Sequence, residues 1–127
     1  MFPKPAKGAA RAEKLARRGH EKYVETQAKQ AAKARDGHRC RRPGCTSGKA
    51  WRLEAAHLED SGMGGRHEGV SDHRRCFVTV CYRCHQGPGS IHTNDLRAVP
   101  LDPARGADGL VRWDELTEAG WKTIGLN

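Results

Sequence analysis

The first third of the chain has few apolar positions, and they recur at helical spacing. Residues 9–35 are rich in Ala, Lys, Arg, Glu and Gln, which favour helices. Gly19 could divide this segment into two helices, and Asp36-Gly37 is expected to end it. The segment is therefore predicted to be one or two helices whose thin apolar stripe leans lightly on the rest of the protein. That stripe comprises Leu15, Tyr23, Val24, Ala28, Ala31 and Ala32.

Beyond this helical region the apolar positions form short runs that are typical of strands. Residues 51–58 alternate loosely between apolar and polar side chains, and residues 77–80 read Phe-Val-Thr-Val. Both runs predict strands. Residues 60–75 between them are rich in glycine and charge, and they predict a long loop, which in a small domain is usually functional or mobile. Gly87-Pro88-Gly89 limits any helix after the second strand to about one turn.

The C-terminal part of the chain gives weaker patterns. A short helical or turn segment is expected near residues 91–96, followed by a loop over residues 98–109. Residues 114–120 predict a brief helix. Trp113 and Trp121 are expected to pack back on the core.

The composition indicates a thin core, and small domains with thin cores usually need a stabilising cross-link. Only 36% of the 127 residues are hydrophobic and 6% are aromatic, so the chain cannot bury a large core. No apolar run approaches the about 20 residues that cross a bilayer, and no signal-peptide core is visible. We therefore expect a soluble cytoplasmic protein, in a bacterial or phage-infected cell, whose cysteines stay reduced.

Four of the five cysteines have the spacing of metal ligands. Cys40-x4-Cys45 and Cys81-x2-Cys84 form two pairs, and a tight turn within each pair can bring two thiolates to one tetrahedral zinc ion. The alternative interpretation is four unrelated buried thiols. Cys76 is left over and is interpreted as a small buried residue.

The net charge of +8 is concentrated at one end of the chain. Residues 1–42 carry 13 Lys and Arg against four acidic residues, a net of +9, whereas residues 43–127 carry a net of −1. This asymmetry is typical of an arm that holds phosphates. A solvated helix explains the same composition equally well. The chain thus divides into a basic helical arm, residues 1–36, and a domain, residues 37–127.

Three motifs follow one another along the chain: Leu-Glu-Ala-Ala-His-Leu at residues 53–58, Gly-Met-Gly-Gly at residues 62–65, and Val-Thr-Val-Cys-Tyr-Arg-Cys-His at residues 78–85. Together they resemble the HNH endonuclease family, and most of all the small HNH proteins of phages and prophages. The turns at residues 87–92 and 106–109 also look like that subgroup. The resemblance covers about residues 38–110.

The resemblance implies a fold and a chemistry. The fold would be a small α+β protein with a ββα-metal (HNH, or His-Me finger) core, stapled by the four-cysteine zinc site. His57 would act as the general base that activates water. His85, joined by His92, would hold one catalytic divalent ion: Mg²⁺, Mn²⁺, Ni²⁺ or Zn²⁺. The substrate would be nucleic acid, with double-stranded DNA favoured. The arginines expected to contact phosphates are Arg41, Arg42, Arg74, Arg75 and Arg83.

Two positions depart from the family pattern. Ala56 stands where a metal ligand usually precedes the base, and Cys76 falls at the position of the middle Asn. Asp60 is a candidate replacement ligand, and Glu54 should point to the face of the strand opposite His57, where it could brace the zinc knuckle or the loop. The departures leave two alternatives open. One is a zinc-stabilised nucleic-acid-binding module without catalysis, and the other is an adaptor among phage packaging or replication proteins.

Overall fold

The structure is a computed structural model that describes residues 7–45, 52–58 and 73–127. These residues form a small α+β protein with one long helix and two antiparallel sheets. In chain order the elements are α1 (Lys7–Arg35), β1 (Leu53–His57), β2 (Phe77–Cys81), α2 (Tyr82–Gln86), β3 (Leu96–Pro100), β4 (Val111–Thr117) and β5 (Gly120–Leu126).

Helix α1 is a single helix of 29 residues, and Gly19 does not interrupt it. The predicted end at Asp36-Gly37 is confirmed, because Gly37 takes the left-handed conformation (φ 66°) that ends many helices. The N–H of His38 then donates to the carbonyl of Lys33 at 2.9 Å. Among the described residues, no helix combines the length and the apolar character needed to cross a membrane.

Strands β1 and β2 pair in an antiparallel hairpin, with Leu53 opposite Cys81 and His57 opposite Phe77. Both predicted strands are therefore confirmed. All five residues of β2 are buried, because the hairpin is covered on two faces. On one face Ala28 and Ala32 of α1 pack against Phe77, and their small side chains let the helix approach the strands closely.

The other face of the hairpin packs against a second sheet in the order β3-β4-β5. Ala56, Val78 and Val80 of the hairpin meet Leu96 and Trp113 of that sheet in the main core. Each strand of the hairpin therefore contributes to two apolar clusters, which is how a chain poor in hydrophobic residues buries them.

The second sheet corrects the prediction for the C-terminal part. The expected loop over residues 98–109 begins inside β3, and the expected helix over residues 114–120 is the end of β4 and its turn into β5. Leu116 pairs with Trp121 across this hairpin. Charged residues at 114, 115 and 118 resemble a helical sequence, but pairing with β5 outweighs that weak local preference.

The two tryptophans have different environments. Trp113 is fully buried in the core, as predicted. Trp121 is 41% exposed on β5, so the prediction that it packs on the core was wrong. The guanidinium of Arg97 instead stacks on the ring of Trp121, with its Cζ atom 4.2 Å from the ring centroid. This stacking covers one face of the ring with a cation that stays hydrated.

Candidate metal centre and histidine site

Cys40, Cys45, Cys81 and Cys84 come together at one end of the hairpin. All four Sγ atoms lie within 4.8 Å of one another. The Sγ atom of Cys45 is 3.8 Å from those of both Cys81 and Cys84. A tetrahedral zinc ion with bonds of about 2.3 Å requires ligand sulfurs about 3.8 Å apart. The cluster can therefore hold a metal ion such as zinc, with no ligand position left for a substrate.

Three chain segments are held in place to build this cluster. Cys81 ends β2, and Cys84 lies one turn later in the short helix α2. The first pair lies in the turn after α1, where the N–H of Arg41 donates to the carbonyl of Thr79 at 2.9 Å. This hydrogen bond joins the first cysteine pair to the strand that carries the second.

Two thiols of the cluster have pKa values that are shifted in opposite directions. A hydrogen bond with Cys84 lowers the pKa of Cys40 to about 5, while the same contact raises the pKa of Cys84. Such a shared proton is what a cation replaces when thiolates bind it. Cys76 lies outside the cluster, buried against α1, where burial raises the pKa of its thiol.

His57 lies at the end of β1 with an exposed side chain. Its ring contacts that of Phe77, with the centroids 4.6 Å apart. It therefore lies on the face of the hairpin that meets α1.

Glu54 lies on the opposite face, as predicted, and contacts α2. Oε1 of Glu54 is 2.9 Å from Nδ1 of His85 and accepts a hydrogen bond from Gln86 at 2.8 Å. Burial tends to raise the pKa of Glu54, but these hydrogen bonds outweigh it and hold the pKa below its usual value. Because an ionised carboxylate can only accept, His85 donates through Nδ1, and a neutral ring then has its lone pair at Nε2.

His92 is the neighbour of His85. The backbone N–H of His92 donates to the backbone carbonyl of His85 at 2.8 Å, and the His92 side chain is exposed. Among the described residues, the four cysteines are the only group of three or more potential ligands close enough to hold a metal. Asp60, the candidate third ligand, lies outside the described residues.

The structure does not bring His57 and His85 together. Glu54, which contacts His85, precedes His57 by three residues, which corresponds to about 10 Å of extended strand on the other face. Ala56, at the family's ligand position, is 1% exposed in the main core. The described residues thus contain both histidines to which the resemblance assigns roles, His57 and His85, but the two do not lie in one continuous site.

The five arginines predicted to contact phosphates have different surroundings. Arg41 is the most internal: its guanidinium donates to the carbonyls of Ala107, Gly109 and Asn127 and contacts Asp36. These contacts indicate that Arg41 has a structural role. Arg74 forms an ion pair with Asp108 at 3.1 Å, and Arg42 lies 3.8 Å from Glu115.

Arg75 and Arg83 are exposed at the surface. They are therefore the two arginines whose surroundings fit the prediction best.

Sequence reasoning missed one important basic residue. Arg35, at the end of α1, donates to the carbonyls of Arg74 and Phe77 and to Asp36. Burial tends to lower its pKa, but the carboxylates of Asp36 and Asp108 raise it overall. This guanidinium ties α1 to the hairpin. The chain offered no signal for it, because it is one of many basic residues in the same helix.

Comparisons of the chain with protein-family models, with curated proteins and with solved structures found no match.

Proposed function

We propose that this protein is a metal-dependent endonuclease of the HNH type, which hydrolyses phosphodiester bonds in DNA. One observation carries the proposal most directly: Glu54 holds His85 through Nδ1, beside the four-cysteine cluster. A carboxylate that binds one ring nitrogen and leaves the other for an ion is the usual support of a metal-ligating histidine.

The residues would divide the work as follows. Nε2 of His85, with His92, would hold a divalent ion, which supplies charge neutralisation at the scissile phosphate. His57 would accept a proton from the attacking water, since histidine exchanges protons readily near neutral pH. The four cysteines would hold a structural zinc ion that fixes β2 and α2, and thereby the position of His85.

A second candidate function is DNA binding without cleavage. Two observations favour it: Ala56 lies in the core where the family has a ligand, and His57 and His85 lie on opposite faces of the hairpin. In this alternative the zinc cluster and the basic helix are kept for binding, and the hydrogen bond between Glu54 and His85 braces the fold.

A supercoiled-plasmid assay tests the proposal. The zinc-loaded protein is incubated with Mg²⁺, Mn²⁺ or Ni²⁺ beside two variants, His57→Ala and His20→Ala. His20 is an exposed residue of α1, so the same substitution there is a matched control. We expect metal-dependent nicking that falls at least about 100-fold in His57→Ala, because removing a general base costs about 10² to 10⁴ in rate. His20→Ala should retain full activity.

The two candidate functions give different results. If a folded protein binds the plasmid but does not nick it with any of these ions, the endonuclease proposal is wrong and the binding function stands. Equal nicking by His57→Ala and the wild type would remove His57 from the mechanism.

A further inference from the structure

The basic side chains of α1 lie mainly on one side of the helix. Successive residues of an α-helix are about 100° apart around the axis. On this geometry, six of the eight described Lys and Arg side chains of α1 fall within a sector of about 100°, and Arg17 and Arg35 lie roughly 110° from its centre. We refer to the six as the basic stripe: Arg11, Lys14, Arg18, Lys22, Lys29 and Lys33.

The N-terminal part of α1 gains little from burial, so its helical form rests on local propensity. Residues 8–23 are all exposed, and at 1.5 Å per residue they extend about 23 Å. Within this part Lys14, Arg18 and Lys22 follow one another at intervals of four, so neighbouring positive charges repel. An anion bound along the stripe would compensate this repulsion.

The stripe leads to the candidate catalytic histidine. Nζ of Lys29 lies 5.6 Å from the ring centroid of Phe77, and the His57 ring contacts the same aromatic side chain. The one acidic residue within the sector, Glu25, forms an ion pair with Lys29 at 3.0 Å. Lys29 of the stripe and His57 are therefore neighbours on one face of the hairpin.

We infer that the basic stripe is a track for the phosphate backbone of double-stranded DNA, and that it directs the duplex to His57. This inference rests on the proposed function and specifies how its substrate is held. From Arg11 to Lys29 the stripe measures about 27 Å, which suits a polyanion with one charge per about 1.7 Å of axis.

Two features favour a duplex over other polyanions. The stripe contains only Lys and Arg, and Tyr23 lies about 130° from its centre, so no aromatic side chain in it can stack on unpaired bases. Phosphate contacts without base contacts hold DNA with little sequence preference.

Two adjacent residues provide the test. Arg17 and Arg18 are both exposed and chemically identical, but only Arg18 belongs to the stripe. Each is changed to Gln, which keeps a similar helix propensity. Binding of the zinc-loaded, full-length protein to a short duplex is measured by fluorescence anisotropy over a range of salt concentrations, without divalent ion so that no cleavage occurs.

One lost phosphate contact changes the slope of log K against log [salt] by about 0.9. For Arg18→Gln we therefore expect the loss of affinity between about 50 and 200 mM salt to become about 3.5-fold smaller than for the wild type. Arg17→Gln should leave that loss unchanged. Glu25→Gln should tighten binding, because it removes the acidic residue that lies in the same sector of α1 as the stripe and pairs with Lys29.

Equal effects of Arg17→Gln and Arg18→Gln would overturn the track. So would the absence of duplex binding, or a single strand of the same length that binds as tightly with the same response to Arg18→Gln. The assay is independent of cleavage. A slope that depends on Arg18 in a protein that does not nick plasmid supports the track alone, whereas nicking with equal slopes supports only the nuclease.

Discussion

Removing the metal from the four-cysteine cluster is expected to destabilise the protein strongly, since the cluster joins segments that are far apart in sequence. Cys45 and Cys81 are 36 residues apart, and the ion would close that loop. The entropy lost by the unfolded chain when a link closes a loop of this length corresponds to about 4 kcal/mol. Domains of this size are stable by about 5 to 15 kcal/mol in total. Chelation should therefore remove a large part of the stability.

The perturbation is Cys84→Ser, which removes one of the four sulfur ligands. Cys76→Ser is the matched control, because Cys76 is also buried but lies outside the cluster. Zinc content is measured by native mass spectrometry, and thermal unfolding is followed with and without a chelator. We expect one zinc ion per chain in the wild type and in Cys76→Ser, and loss of zinc in Cys84→Ser.

The thermal shift follows from the same free energy. A loss of about 4 kcal/mol lowers the Tm of a protein of this size by about 15 °C. The chelated wild type and Cys84→Ser should both show that shift. The reasoning is refuted if the chelated wild type unfolds at the same temperature as the loaded protein, or if Cys76→Ser loses zinc as readily as Cys84→Ser.

Two further substitutions test the fold around the site. Asp114 is buried and accepts hydrogen bonds from Arg97, Arg112 and Thr123. Asp114→Asn should therefore lower the free energy of unfolding, measured by chemical denaturation, by about 3 kcal/mol. This value is at the lower end of the range for breaking a buried ion pair, because both guanidinium groups keep contact with water. Burial tends to raise the pKa of Asp114, but these partners lower it overall. The contribution of Asp114 to the free energy of unfolding is therefore complete above about pH 4 and is lost as the pH falls through the lower pKa of the folded state. If the stability of Asp114→Asn fell with pH in the same way as that of the wild type, this reasoning would be contradicted. Gly106 has a φ of 55°, and a Cβ there would collide with the carbonyl oxygen of Arg75, so Gly106→Ala should cost at least about 2 kcal/mol; an unchanged Tm would refute that assignment.

Much of the helix, the hairpin and the metal cluster could be predicted from the sequence. Composition and the Asp36-Gly37 signal determined α1 and its end, because helix propensity and capping are local properties. The cysteine spacing identified the four residues of the cluster, since each pair needs only a tight turn to bring two sulfurs together. The two β-branched or alternating runs gave β1 and β2.

The C-terminal sheet and the partners of the charged residues depended on the tertiary structure. The pairing of β4 with β3 and β5 is a non-local property, and the charged residues of β4 concealed it. The contact between Glu54 and His85 joins residues 31 apart. Likewise, the sequence shows only that α1 is basic.

Packing decides which of these basic residues make contacts inside the fold and which form an exposed stripe. The close approach of Ala28 and Ala32 to the hairpin fixes the rotation of α1, so that Arg35 is largely covered whereas the stripe from Arg11 to Lys22 stays exposed. The sequence alone thus determined α1, the strands β1 and β2 and the four clustered cysteines, because these follow from local spacing. Only the tertiary structure decided which charged groups are neutralised and which remain available to a partner, because that depends on contacts between distant segments.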